Sequence, residues 1–270
     1  MLLADSSSPL SKGTYLGKNE QSFNAEGIIV SKTIYTERVS EEWHSHENHH
    51  ITFILTGGNR EQRKNQELEV VAGTVLNYRS GEKHRNVNTW HPSRNINLEI
   101  SEDFFRDYGI HPSSFDFLNH REIDAKLVLL KIYEQCRSNL HDSTFSIHSL
   151  LLSLLETGDR NIKSGSPPFW LEKVKEMIHD RWNEPLSLSE LSEAAGVHPV
   201  SVSKFFPRHF HLTLGEYQRK LRLANALTLL RQGSRSLTDV AHYCGFFDQS
   251  HFTRTFRQET GLLPKEFRKL

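Results

Sequence analysis

Between about residues 23 and 100, β-branched and aromatic residues come in short runs, at 27–34, 51–55 and 68–71, broken by Gly, Asn and Glu/Lys clusters. Runs of that length bounded by turn formers predict strands. From Ile123 the apolar period lengthens. Leu127, Leu130, Tyr133, Cys136 and Leu140 share one helical stripe, and Ile147, Leu150, Leu151, Leu154 and Leu155 a second. The polar break at 139–144 predicts two antiparallel helices over about 123–156. Stripes this apolar need cover, either from the strands or from the same hairpin of a second subunit. Residues 1–22, polar and rich in Ser, Asn and Gly, predict a loose arm. Residues 157–168, TGDRNIKSGSPP, have no period and predict an interdomain linker. After Phe169 the pattern is helical, opening with a stripe at Leu171, Val174, Ile178 and Trp182. The chain therefore divides into residues 1–157, a linker at 158–168, and residues 169–270.

The C-terminal part contains a repeat. Leu188, Leu191, Ala195, Gly196 and Val197 return 49 residues later as Leu237, Val240, Cys244, Gly245 and Phe246. Each copy opens with a capping box, Ser187 with Glu190 and Ser236 with Asp239. Each first helix ends on a small residue and a glycine, which can take the left-handed conformation of a sharp turn. A second helix follows with an inward i, i+4 pair, Val202 with Phe206 and Phe252 with Phe256. Leu212, Glu216 and Tyr217 then match Leu262, Glu266 and Phe267. Helix, glycine turn, helix is the arrangement that sets a second helix into a major groove. Between the copies, Thr213 and Glu216 cap a helix with Leu214, Tyr217, Leu221, Ala224, Leu227 and Leu230 on one side. At ~1.5 Å per residue it forms a strut of roughly 27 Å. Successive major-groove faces lie ~34 Å apart, so one chain can read two groove segments without dimerising.

The run SLTDVAHYCGFFDQSHFTRTFRQETGLLPKEFRK and the repeat around it resemble the DNA-binding domain of the AraC/XylS family of bacterial transcription activators. The resemblance covers residues 169–270. Two positions depart from it: Pro207 stands where the family carries a basic residue, and His211 where it carries a helix-ending glycine. Proline inside a helix removes a hydrogen bond, so the first recognition helix is expected to kink and end early. The outward residues are expected to meet DNA. In the first copy these are Val200, Ser201, Ser203, Lys204 and Arg208, and in the second Gln249, Ser250, His251, Thr253, Arg254 and Arg257. Gln can read adenine and Arg guanine bidentately, Val200 can meet a thymine methyl, and the hydroxyls and outer basic groups suit phosphates. The resemblance implies double-stranded promoter DNA and RNA polymerase as partners, activation, and a homodimer.

The N-terminal part carries His44-x-His46-x3-His50-x6-Gly57 and then Gly73-x5-Arg79-x-Gly81-x2-His84-x3-Asn88. This spacing resembles the two cupin motifs, with His50 in place of Glu and Arg79 in place of Pro. The resemblance implies a small β-barrel with His44, His46, His50 and His84 in its mouth. Four imidazoles there suit a divalent transition metal such as zinc, iron, nickel or copper. The other reading has them lining the pocket of an organic effector, and sensory cupins in regulators of this kind are usually metal-free. Strand alternation sends His49 to the opposite face. His91, His111, His120, His141 and His148 read as surface or helix residues.

The formal net charge is zero. That balance hides an offset. Residues 169–270 hold 15 Lys and Arg against 11 Asp and Glu, and the remainder 18 against 22. The mildly basic C-terminal part fits a phosphate-facing surface. Cys136 and Cys244, far apart in apolar patterns, read as buried hydrophobes and not as a disulfide or metal pair. No apolar stretch reaches the ~20 residues of a membrane span. The N-terminus lacks a signal-peptide layout, which makes the cytoplasm the expected compartment.

These readings converge on a two-domain protein: a cupin-like β-barrel with a helical hairpin, then an all-α domain with two helix-turn-helix motifs joined by a long helix. The expected function is a sequence-specific transcription regulator, not an enzyme, whose N-terminal domain senses a small molecule or metal ion and whose hairpin dimerises. The alternatives are a metal-dependent cupin enzyme fused to a DNA-binding domain, and an effector-independent activator in which the cupin is a dimer scaffold. No carboxylate pair or nucleophile constellation supports catalysis.

Overall fold

The computed structural model describes residues 9–138, 143–155 and 168–270. It separates into two compact units, Met1–Leu155 and Glu156–Leu270. The expected linker at 158–168 lies outside the described residues except for Pro168, as do Leu140 and His141.

In the first unit, β1 (Lys18–Ala25), β2 (Ile28–Tyr35), β3 (His49–Arg63), β4 (Gln66–Val71), β5 (Val75–Tyr78) and β6 (His84–Ile100) form one antiparallel sheet. The order is β1-β2-β6-β3-β4, with β5 pairing with β3. β1 starts inside the segment expected to be a loose arm. Its side chains are too polar to signal a strand, yet its backbone pairs along β2 from Lys18↔Ile34 to Ala25↔Ile28.

Strand alternation gives the two faces of the β3–β6 pair different chemistry. Ile51 and Phe53 stand opposite Leu98 and Ile96, all buried. The intervening pairs are His50 with Glu99, Thr52 with Asn97 and Ile54 with Asn95, so the other face is polar as well as buried. β3 bends at two glycines. Gly57 has φ 73° and Gly58 φ 146°, and a Cβ on Gly58 would lie 1.9 Å from the Val70 carbonyl oxygen. The β3–β6 register shifts at the same place, which lets the long strand curl instead of running flat.

Helix α1 (Glu102–Asp107), a 3-10 helix (Pro112–His120), α2 (Glu122–Arg137) and α3 (Ser143–Leu155) follow. The α2 stripe at Leu127, Leu130, Tyr133 and Cys136 is buried, as are Ile147, Leu151, Leu154 and Leu155 of α3. α2 packs against α3 and against β2, β5 and β6. The hairpin is thus covered by its own unit, which removes the stripe as a dimer interface. His148 lies on α3, within the expected surface-or-helix reading, and is buried, its Nε2 bonded to Ala25 O at 3.0 Å and its Nδ1 to the Tyr108 hydroxyl at 2.7 Å.

The second unit runs α4 (Phe169–Asp180), α5 (Leu188–Ala195), α6 (Pro199–Phe210), α7 (Leu214–Gln232), α8 (Leu237–Tyr243), α9 (Gln249–Thr260) and α10 (Pro264–Phe267). Reciprocal capping boxes start α5, α7 and α8 at Ser187, Thr213 and Ser236. Gly196 and Gly245 turn the chain with φ of 69° and 73°. Contrary to expectation, α6 runs through Pro207 to Phe210 and is 12 residues long, the same as α9. Phe206, Phe210 and Tyr217 cluster with ring centres 4.6–5.8 Å apart and hold the last turn despite the missing N–H. His211 closes it in the left-handed conformation, φ 58°, with its N–H on Pro207 O at 3.0 Å. Both cysteines are free and buried, and burial pushes each thiol up to about 12.

Candidate nucleic-acid interface and histidine cluster

Helices α6 and α9 are each fixed by an apolar pair. Val202 and Phe206 of α6, like Phe252 and Phe256 of α9, are fully buried, which turns the opposite helix face outward. On α6, Val200 is 61% exposed, Ser203, Lys204 and Arg208 are exposed, and Ser201 is half-buried. Phe205 is also half-buried and carries the Arg208 guanidinium 5.7 Å from its ring centre. On α9, Gln249, Ser250, His251, Arg254 and Arg257 are exposed and Thr253 is half-buried. Gln249, Ser250, Thr253, Arg254 and Arg257 line one open concavity of about 790 Å³ with Gln258 and Leu263. His251 stands slightly apart from this set, edge-on to Phe246 at 5.5 Å.

Two residues that sequence periodicity does not single out set this face. Thr238 of α8 donates its hydroxyl to Gln249 Oε1 at 2.7 Å. Arg222 of α7 donates to Gly245 O and Glu184 O, each at 2.8 Å, and to Trp182 O at 3.3 Å. It ties the turn before α9 to the segment before α5. Contacts across such sequence separations leave no periodic trace.

In the first unit the polar face of the curled sheet carries the histidines. His44 and His84 exchange both backbone hydrogen bonds at 2.9 Å, an isolated bridge that brings the two motifs together. One ring nitrogen each from His44, His46 and His84 falls within 4.8 Å of the others, and all three residues are buried. Nδ1 of His44 meets Glu42 O at 3.2 Å, and Nδ1 of His84 meets Glu82 O at 3.1 Å. A carbonyl only accepts, so in both neutral rings Nδ1 carries the proton and Nε2 the lone pair. Burial, reinforced by the neighbouring imidazoles, pulls His46 down to about 4 and His84 down to about 3, and burial lowers His44. The rings are therefore neutral at pH 7.

His50 takes a different place. Its ring stacks flat on Tyr78, centres 4.2 Å apart at 13°, and lies 4.3 Å from His46. The Tyr78 hydroxyl donates to the buried Glu61, and Arg63 covers the ring at 4.6 Å while its Nε donates to Glu61 at 2.7 Å. Nδ1 of His46 and Nδ1 of His50 are buried without a hydrogen-bonding partner. The four histidines and Tyr78, with Asn59, Asn86, Asn95 and Asn97, surround a cavity of about 30 Å³, which Tyr15 and Leu16 of the N-terminal segment also line. That segment is held by Leu10 N on Ser45 O at 2.8 Å and Gly13 N on Glu99 at 3.0 Å, so its described part is not a loose arm. His49 faces away, with Nε2 on Glu102 at 3.0 Å and its ring against Phe105 and Phe115.

Comparison with known proteins places this geometry. The helix-turn-helix domain family matches residues 191–270. GbdR of Pseudomonas aeruginosa, an HTH-type transcriptional regulator, is 27% identical over 149 residues, 55% of this chain, and the match spans only 37% of GbdR. Two relatives match over most of their length. RhaR of Mannheimia succiniciproducens, an HTH-type transcriptional activator, is 23% identical over 244 residues, 83% of this chain and 86% of RhaR. RhaS of Escherichia fergusonii, also an HTH-type transcriptional activator, is 26% identical over 248 residues, 84% of this chain and 87% of RhaS. The chain thus carries a C-terminal helix-turn-helix domain and is similar over most of its length to proteins named HTH-type transcriptional activators.

Proposed function

We propose that the protein is an effector-responsive transcription activator that reads promoter DNA with α6 and α9. The observation that carries this is the pair of equal helices, each anchored by a buried apolar pair and each turning polar and basic side chains outward. In this reading Gln249 and Arg254 address bases, with Val200 on a thymine methyl. Ser201, Ser203, Lys204, Arg208, Ser250, His251, Thr253 and Arg257 hold the backbone on either side.

The N-terminal unit is the sensor, a cupin-like barrel whose polar interior binds a small molecule or metal ion. Its effector acts by favouring one arrangement of the two units over another. RNA polymerase is the partner through which an activator works, and the cytoplasm is where promoter and polymerase meet. A homodimer has to use a surface other than the buried hairpin stripe, and one chain already presents two recognition helices.

The test is a footprint of the full chain on promoter DNA, compared with Arg254→Ala. The variant is expected to lose about 1–3 kcal/mol of specific binding. An unchanged footprint with an unchanged salt slope contradicts the assignment.

A further inference from the structure

We infer that the concavity beside the β3–β4 hairpin binds a nucleoside phosphate, with its base stacked on Trp43 and its phosphate held by Lys64 and Lys83. The site is separate from the polar interior, and it goes beyond the sensor reading above without resting on it.

Position comes first. His44 and His84 line the inner cavity, but their chain neighbours Trp43 and Lys83 line a different, open concavity of about 570 Å³. Lys64, Asn65 and Gln66, at the tip of the β3–β4 hairpin, line it too. Sites for small organic ligands span about 300–1,000 Å³, so a nucleotide is accommodated by size.

The floor is held by a row of side chains across three strands. Glu67 of β4, Gln62 of β3 and Arg85 of β6 stand opposite one another. Gln62 is bonded at both ends of its amide: Nε2 donates to Glu67 at 3.0 Å, and Oε1 accepts from Arg85 Nε at 2.7 Å. Arg85 in turn lies over the Trp43 ring, 5.2 Å from its centre. The indole is thereby backed and oriented before any ligand arrives, which lowers the ordering entropy of binding. An indole face is a stacking platform for any nucleobase.

Charge selects an anion. The lining carries three cations, Arg63, Lys64 and Lys83, against one carboxylate, Glu67. Glu67 is engaged by Gln62 and lies 3.2 Å from Arg60 Nε, while Arg63 is engaged by Glu61 and Glu82. Lys64 and Lys83, both exposed, bring the positive charge that a phosphate meets, and lysine binds phosphate as a compact point charge. A neutral sugar makes no use of the lysines, and an inorganic anion makes none of the indole. The exposed amides of Asn65 and Gln66 add donors and acceptors for a base edge or a ribose. A nucleoside phosphate uses all three.

The experiment is fluorine NMR of the full chain labelled with fluorotryptophan, whose four tryptophans give four signals. Trp43→Phe identifies the Trp43 signal, and AMP, GMP and UMP are the probes. Saturable movement of that signal alone is expected with at least one of them, at a dissociation constant of ~1 mM or tighter. The parent nucleoside and ribose phosphate, which each lack one half of the nucleotide, should bind at least ~10-fold more weakly. Lys64→Ala combined with Lys83→Ala should bring the nucleotide to the level of its nucleoside, with circular dichroism and melting unchanged. A short single-stranded oligonucleotide separates the two sources of this chemistry. Tighter binding than the mononucleotide at the Trp43 signal places the ligand in a strand, and weaker binding identifies it as a free nucleotide. Silence of the Trp43 signal with all the nucleotides, equal binding of nucleotide and nucleoside, or movement of every signal together overturns the site. Affinity for promoter DNA is measured on the same sample, so a failed nucleotide site with intact DNA binding leaves the regulator reading standing.

Discussion

The Thr238 hydroxyl donates to Oε1 of Gln249 at 2.7 Å, so a side chain of α8 fixes the amide at the start of α9. Bidentate reading of adenine needs the amide oxygen and nitrogen together. With its oxygen engaged, Gln249 presents its NH2 group as a donor, which suits an acceptor such as guanine O6 or thymine O4. Thr238→Val releases the oxygen. Selected sites are expected to shift toward adenine at that one base pair, a change of about 1–3 kcal/mol in discrimination. Identical base preferences for wild type and variant contradict the coupling.

Arg222 gives a stability prediction. Its guanidinium satisfies three backbone carbonyls on both sides of the long helix. Charged donors contribute more than neutral ones, and their removal leaves half-buried acceptors unpaired. Arg222→Ala should destabilise the second unit by about 2 kcal/mol and weaken DNA binding without changing which sequence is preferred. Urea unfolding checks the first part and site selection the second.

The close of α6 offers a gain. His211 holds φ 58°, a conformation costing an L side chain roughly 1–2 kcal/mol and glycine almost nothing. After glycine's extra chain entropy, His211→Gly should raise stability by up to about 1 kcal/mol and leave the footprint unchanged. A lower melting temperature argues that the imidazole makes a contact that outweighs the strain.

Gly58 is the opposite case. A methyl there meets the Val70 carbonyl oxygen at 1.9 Å, at φ 146°. Gly58→Ala should cost about 3 kcal/mol or more, because the bend that curls β3 cannot form as built. Thermal melting decides it, and a wild-type melting temperature would show that the bend yields.

What was legible in the sequence follows the range of the interactions involved. The capping boxes, the turn glycines and the buried pairs of α6 and α9 are local, with fixed spacing, so they could be read directly. The histidine motifs were legible as spacing, but not which rings converge. Only the backbone bridge between His44 and His84, and the stack of His50 on Tyr78, separate three candidates from four. β1 was missed because polar edge strands are held by backbone hydrogen bonds, which have no sequence period. The expected break at Pro207 failed because an aromatic cluster 10 residues further along the chain, at Tyr217, outweighs one missing N–H.

The claim that one chain carries two DNA-reading helices is tested most directly by selecting duplexes from a random pool with the full chain, wild type and Arg254→Ala in parallel. The account predicts two enriched boxes about one helical turn, roughly 10 base pairs, apart. Arg254→Ala should blur one box and spare the other. Enrichment of a single box, or a variant that degrades both equally, would contradict it.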